Sequence, residues 1–189
     1  MNYKEYIDRA FHTAEHQGFH NAYYPLKHWL MLTITEVSEM VEADRSGKRA
    51  QVQSFNREIA KPVPEKMKAE HWKHCFKTFI KDSVEDEMAD VCIRLFDLAG
   101  LVGAKIPESG NFEMCPEERV DVFTGKTFSC TAFELCKILS YGKMPDLTIS
   151  YALTFMRSWA KMEGIDLQWH IEHKMQYNEM RGPLHGKRY

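Results

Sequence analysis

Four acidic residues fall into two pairs. Glu36 and Glu39 lie in LKHWLMLTITEVSEMVEAD, and Glu87 and Asp90 lie in SVEDEMADVCIRLFDLAGL. A step of three on a helix puts both members of a pair on one face. Residues 26–44 have helical periodicity, with Leu30, Ile34, Val37 and Val41 marking a predicted buried stripe. At about 100° per residue, Glu36 and Glu39 share a sector with Trp29, Leu32, Met40 and Ala43, beside that stripe. In residues 83–101 the stripe is Val84, Val91, Leu95, Leu98 and Val102, and Glu87 and Asp90 sit at its edge. Carboxylates set in an apolar face need a compensating charge, from basic side chains or from a cation. Two such helices facing one core would form an oxygen-only cage of four acids. That donor set suits Mg²⁺ or Mn²⁺, and such ions can bridge a polyphosphate. The plain alternative is two salt-bridged helix edges, and spacing alone does not separate the two readings.

A third constellation lies near the C-terminus. Lys174, Asn178 and Arg181 follow at steps of four and three, with Tyr177 beside them and His185, Lys187 and Arg188 beyond. This ridge of cations and an amide suits phosphate oxygens. Alone, it also reads as a solvated helix end whose cations favour the helix dipole. His12, His16 and His20 recur at steps of four but have no acids or cysteines with them, so they read as a polar face. Arg45, Lys48 and Arg49 read as a solvated run, with an anion contact as the alternative.

Composition narrows the functional class. A chain of 189 residues with 44% hydrophobic and 28% charged content fits one globular domain with a sizeable core. A net charge of −2 provides no bulk attraction to a nucleic-acid polymer or a membrane surface. No apolar run approaches a membrane span, and the opening MNYKEYIDRAFHTAEH is too charged for a signal peptide. The five cysteines are odd in number and lack CxxC spacing. They read as reduced thiols of a cytoplasmic protein rather than zinc ligands.

These groups must be positioned by helices, because no strand-type alternation is strong. A first helix is expected over residues 3–17, ended by Gly18. An aromatic connector, FHNAYY, leads to Pro25 in the first turn of the 26–44 helix. Residues 45–68 have little periodicity and read as part loop, part irregular. Residues 65–81 resume as helix and run towards the second acidic helix, which Gly100 and Gly103 close. Residues 105–128 read as another irregular stretch. Ser129 or Thr131 is expected to cap a helix through Tyr141, Asp146 to cap residues 147–162, and Asp166 to start a last helix to Met180. The expected fold is all-α, a single domain with a four-helix-bundle core and two irregular insertions, near 45–68 and 105–128.

TITEVSEMVEA, EDEMADVCIRLFDLAG and KMQYNEMRGPLHGKRY, in that order, resemble the MazG-like branch of the all-α nucleoside triphosphate pyrophosphatases. Its relatives include dimeric dUTPases, dCTPases and phosphoribosyl-ATP pyrophosphatases. The family pattern is ExxE, then ExxD on a neighbouring helix, then a later Lys and Asn. Glu36, Glu39, Glu87, Asp90, Lys174 and Asn178 match it. The gap between Glu39 and Glu87 is longer than family usage, which marks residues 45–81 as inserted.

The resemblance implies Mg²⁺-dependent hydrolysis of a nucleoside triphosphate to the monophosphate and pyrophosphate, with Mn²⁺ as a possible substitute. Glu36, Glu39, Glu87 and Asp90 would be the metal ligands. Glu39 would orient or deprotonate the attacking water, and Lys174 and Arg181 would contact the outer phosphates. Asn178 would hold a phosphate or the sugar. Arg94 would clamp a phosphate or pair with Asp90 one turn earlier. Trp29 and His28 would meet the base, with plain core as the alternative for Trp29. A homodimer or homotetramer is implied. A non-catalytic nucleotide- or metal-binding helical module is the alternative. A ferritin-like di-iron site needs ExxH pairs, and no Glu in the chain has His three residues later.

Overall fold

The computed structural model describes residues 3–106, 123, 125–142 and 144–186. Most of the 105–128 insertion, Cys115, Lys187 and Arg188 lie outside the described residues, as does the side chain of His185. In chain order the helices are α1 (Tyr3–His16), α2 (Leu26–Arg45), α3 (Val52–Ile59), α4 (Lys68–Phe79), α5 (Val84–Val102), α6 (Phe128–Tyr141), α7 (Pro145–Met162) and α8 (Leu167–Glu179). Short 3₁₀ turns occur at Glu65–Met67 and Pro183–Gly186. The fold is all-α, with no strand among the described residues.

Helix α5 is the hub, packing on α1, α2, α7 and α8. Its sequence explains why. Val84, Met88, Ala89, Val91, Cys92, Leu95, Phe96, Leu98 and Ala99 cover more of its circumference than one stripe, so it is buried on several sides. Gly100 lies inside α5, not at its end. A Cβ there would come within 2.7 Å of Phe11 Cβ, so this glycine lets α1 cross closely. Gly103, at φ 63°, supplies the left-handed residue that closes the helix.

The buried face of α2 is turned from the expected stripe towards the acids. Trp29, Leu30, Thr33, Glu36, Val37, Met40 and Ala43 are buried, whereas Ile34 and Val41 are half-buried. Helix α4 does not run into α5. Asp82 takes a left-handed φ of 60°, its N–H donates to Asp86 Oδ2 (2.9 Å), and Ser83 Oγ accepts from Asp86 N–H (3.2 Å) as the cap of α5.

The 45–68 stretch is more ordered than its weak periodicity implies. It contains α3, whose fully buried Phe55 anchors a second, smaller core with Cys75, Phe76, Ile80 and Tyr177. Aromatic rings join α4 to α8 there. Phe76 stacks on Tyr177 (ring centroids 4.7 Å apart) and Trp72 on His173 (6.2 Å). Val52, Phe55 and Ile59 fall at helical spacing and all pack there, but eight residues are too few for that period to stand out from the polar stretch around it. The other caps also shift. Thr127 caps α6 by accepting from Cys130 N–H, Pro145 opens α7 with no side-chain cap, and Asp166 caps α8 as expected.

Candidate functional site

Helices α1, α2, α5 and α8 line a cavity of about 320 Å³. Glu36, Glu39, Glu87, Asp90, Arg94, Lys174, Asn178 and Arg181 all line it. The structure therefore brings together the four acids, Arg94, Lys174, Asn178 and Arg181, but not Trp29 and His28; His28 stacks on Tyr24, away from the cavity. The Trp29 side chain is buried against His20, Tyr24 and His28 and faces a different hollow.

Glu36, Glu39 and Glu87 offer ligand oxygens that lie within 4.8 Å of one another. Glu36 is buried and Glu39 exposed, so the pair on α2 straddles the edge of the core. Glu87, 4 % exposed, has a buried Oε2 with no hydrogen-bond partner. Among the described residues, neither Glu39 nor Glu87 has an ion-pair partner. Burial, with the nearby Asp90 charge, pushes the Glu87 carboxyl up to about 9. The same two causes raise Glu36.

Two cations meet the remaining charge. Arg94 Nε donates to Glu36 Oε1 (2.9 Å), joining α5 to α2, so its bonded partner is Glu36 rather than Asp90 on its own helix. Lys174 is 3 % exposed, and its Nζ lies 2.6 Å from both Asp86 Oδ2 and Asp90 Oδ2. Burial opposes the Lys174 charge, but Asp90, Asp86 and Glu87 outweigh it and raise the ammonium pKa. Asp90 is thus tied to α8, while the other three matched acids converge on one another.

Asp86 is the acid that the sequence reading missed. It is fully buried, accepts from the Asp82 N–H and Lys174, and keeps an unpartnered buried Oδ1. Burial raises its carboxyl to about 6 despite Lys174. Asp86 sits one residue off the acid pair, within VEDE, and looks like an ordinary first-turn acid favoured by the helix dipole. Its pairing with a lysine 88 positions away has no local signature.

The donor set fits a hard divalent cation. Every donor is a carboxylate oxygen, three converge within 4.8 Å, and Glu87 holds an orphaned oxygen where a protonated neutral acid is the alternative. At the mouth of the cavity, Asn178 Oδ1 accepts from Arg181 Nη1 (3.4 Å), and the Arg181 guanidinium lies over the Tyr177 ring. Lys81 pairs with Asp82 on the same rim.

Compared with protein-family models, curated proteins and solved structures, the chain matches none. Among the described residues, no helix is long and apolar enough to cross a membrane.

Proposed function

We propose that this chain is a Mg²⁺-dependent nucleoside triphosphate pyrophosphohydrolase of MazG-like type, converting a (d)NTP to the (d)NMP and pyrophosphate. One observation carries the reading. Glu87 is a buried carboxylate with an unpartnered oxygen, within 4.8 Å of ligand oxygens on Glu36 and Glu39. A scaffold has no reason to keep such a group, because an unpaired buried acid is destabilising.

Glu36, Glu39 and Glu87 would hold the metal, with Asp90 beside them. Bound there, a divalent ion would neutralise the triphosphate and polarise the attacked phosphorus. The chain's own groups supply the rest. Glu39 is exposed and has no ion-pair partner among the described residues, which suits it to take the proton of the attacking water. Lys174 holds Asp86 and Asp90 in place at 2.6 Å and presents its positive charge to the cavity. Arg181 and Asn178, on the rim, would contact the outer phosphates and the sugar. Arg94 fixes Glu36 and brings a second guanidinium to the phosphate path. Trp29 belongs to the core in this account. The working form would be a homodimer or homotetramer.

The test is pyrophosphate release from a panel of nucleoside triphosphates with Mg²⁺, for wild type, Glu39→Gln and Glu87→Gln. Turnover in the wild type that falls by a factor of about 100 or more in both variants is expected, the scale of losing a group that acts on the reacting atoms. Nucleotide binding without release from any substrate would leave a non-catalytic nucleotide-binding module.

A further inference from the structure

A buried amide at the end of α1 lines the cavity with one of its two ends unused. Gln17 is 5 % exposed and belongs to neither the acids nor the cations of the site. Its backbone N–H donates to the Thr13 carbonyl (3.0 Å), and its own carbonyl accepts from the Leu184 N–H (3.0 Å). Its side-chain Nε2 donates to the Asn178 carbonyl (2.6 Å). A carbonyl oxygen only accepts, so the amide nitrogen must be the atom turned to Asn178. The amide oxygen is then left over. It makes no hydrogen bond among the described residues and, unlike Asp86 Oδ1, it is not sealed off but open to the cavity.

Its place in the cavity narrows what it can accept from. Asn178 follows Lys174 by four residues, and the Lys174 ammonium is bonded to Asp90 of the acidic cage. Along α8 the two points are therefore about 6 Å apart. That is the step from a phosphorus held at the cage to a hydroxyl of its own sugar, and it falls short of the far edge of a base. Ala10, Ala14 and Gln17 follow at steps of four and three, so α1 turns one face to the cavity. The two alanines leave room for the C–H face of a sugar ring, and the amide oxygen stands at the end of that face. Ionised phosphate oxygens have no proton to give such an acceptor, whereas a sugar hydroxyl does.

Resting on the nucleotide reading above, we infer that Gln17 is the sugar subsite of this cavity, its Oε1 accepting a hydrogen bond from the 3′-hydroxyl of the nucleotide. The 3′-hydroxyl stands nearer the 5′-phosphate than the 2′-hydroxyl does, and ribonucleotides and deoxyribonucleotides both carry it. The bonds that hold Gln17 exist before a ligand arrives, so the acceptor needs no reordering on binding. An acceptor built for a substrate O–H penalises the analogue without it, because it then loses water and gains no partner.

The test is equilibrium binding, with Mg²⁺, of α,β-imido analogues of the four dNTPs and of their 2′,3′-dideoxy counterparts, for wild type and Gln17→Met, followed by pyrophosphate release from the hydrolysable nucleotides. In the wild type the deoxy analogue of the preferred base should bind about tenfold more tightly than its dideoxy counterpart. Gln17→Met should bring that ratio close to one. Equal affinity of the two sugars in the wild type overturns the assignment, whatever the variant's folding. A variant that weakens both sugars alike and keeps the ratio also overturns it, since Gln17 would then only brace α8. So does a variant that keeps the ratio and changes the ranking of the bases, which would move the contact to the base. Pyrophosphate release at one rate from deoxy and dideoxy nucleotides below saturation overturns the subsite and leaves the hydrolase reading intact. Selection for the 3′-hydroxyl without any release upholds the subsite and removes the hydrolase.

Discussion

Helix α8 presents two adjacent side chains, His173 and Lys174, to two different cores. Lys174 faces the carboxylates of α5, bonded to Asp86 and Asp90. His173 faces the satellite core, stacked on Trp169 at 3.8 Å, with its Nδ1 2.8 Å from the Trp169 carbonyl oxygen. Burial lowers the pKa of His173, and it pushes the buried His170 down to about 4. Both imidazoles are therefore neutral near pH 7. The α5 side is the reverse. Glu36, Glu39, Asp86, Glu87 and Asp90 are met by two directly bonded cations, Arg94 and Lys174. On the satellite side burial is met by keeping the imidazoles neutral, although the buried His170 Nδ1 has no hydrogen-bond partner among the described residues. In the acidic cage burial leaves a demand for positive charge.

The comparison breaks most readily at Lys174. Lys174→Met should destabilise the protein by about 3–5 kcal/mol, because it strands the buried Asp86 carboxylate and the half-buried Asp90 beside it rather than removing one bond. Denaturant unfolding at pH 7 measures this. A loss below about 1 kcal/mol would mean that the cage is already neutral by protonation.

A pH scan sharpens the satellite side. His170 has a folded pKa near 4, below the unfolded value of about 6.5. Between these values the unfolded chain binds the extra proton, so stability rises with pH. The contribution is fully present above about pH 6.5 and lost as pH falls towards 4, up to about 3 kcal/mol. His170→Gln should flatten the slope in that window. An unchanged slope would place the acid sensitivity elsewhere.

The smallest effect is expected at His173→Leu. An apolar side chain of similar volume replaces a ring that is already neutral, so the change should stay under about 1.5 kcal/mol. Thermal melts of His173→Leu and Lys174→Met, one residue apart, test the contrast directly. Similar losses in both would erase the distinction between the two cores.

Several features were legible in the chain because they are local. Helical periodicity located α2, α5 and α8, and the i, i+3 spacing put each acid pair on one face. Lys174, Asn178 and Arg181 read as one ridge and do reach one cavity. In the sequence the two acidic helices look alike, whereas the structure centres the fold on α5. The length of an apolar run does not report how many neighbours a helix has. Shortness likewise hid α3, whose eight residues depend on Phe55 meeting rings from α4 and α8.

By itself the sequence determined the helical class, the faces that carry acids and the residue types able to hold a cation. The tertiary structure alone decided which charges meet. Arg94 bonds Glu36 of another helix, Lys174 closes on Asp86 and Asp90, and His20 leaves its expected polar face to stand against Asp97. Spacing along one helix is set by backbone geometry within a few residues. Pairing between helices depends on crossing positions set by core packing across the whole chain.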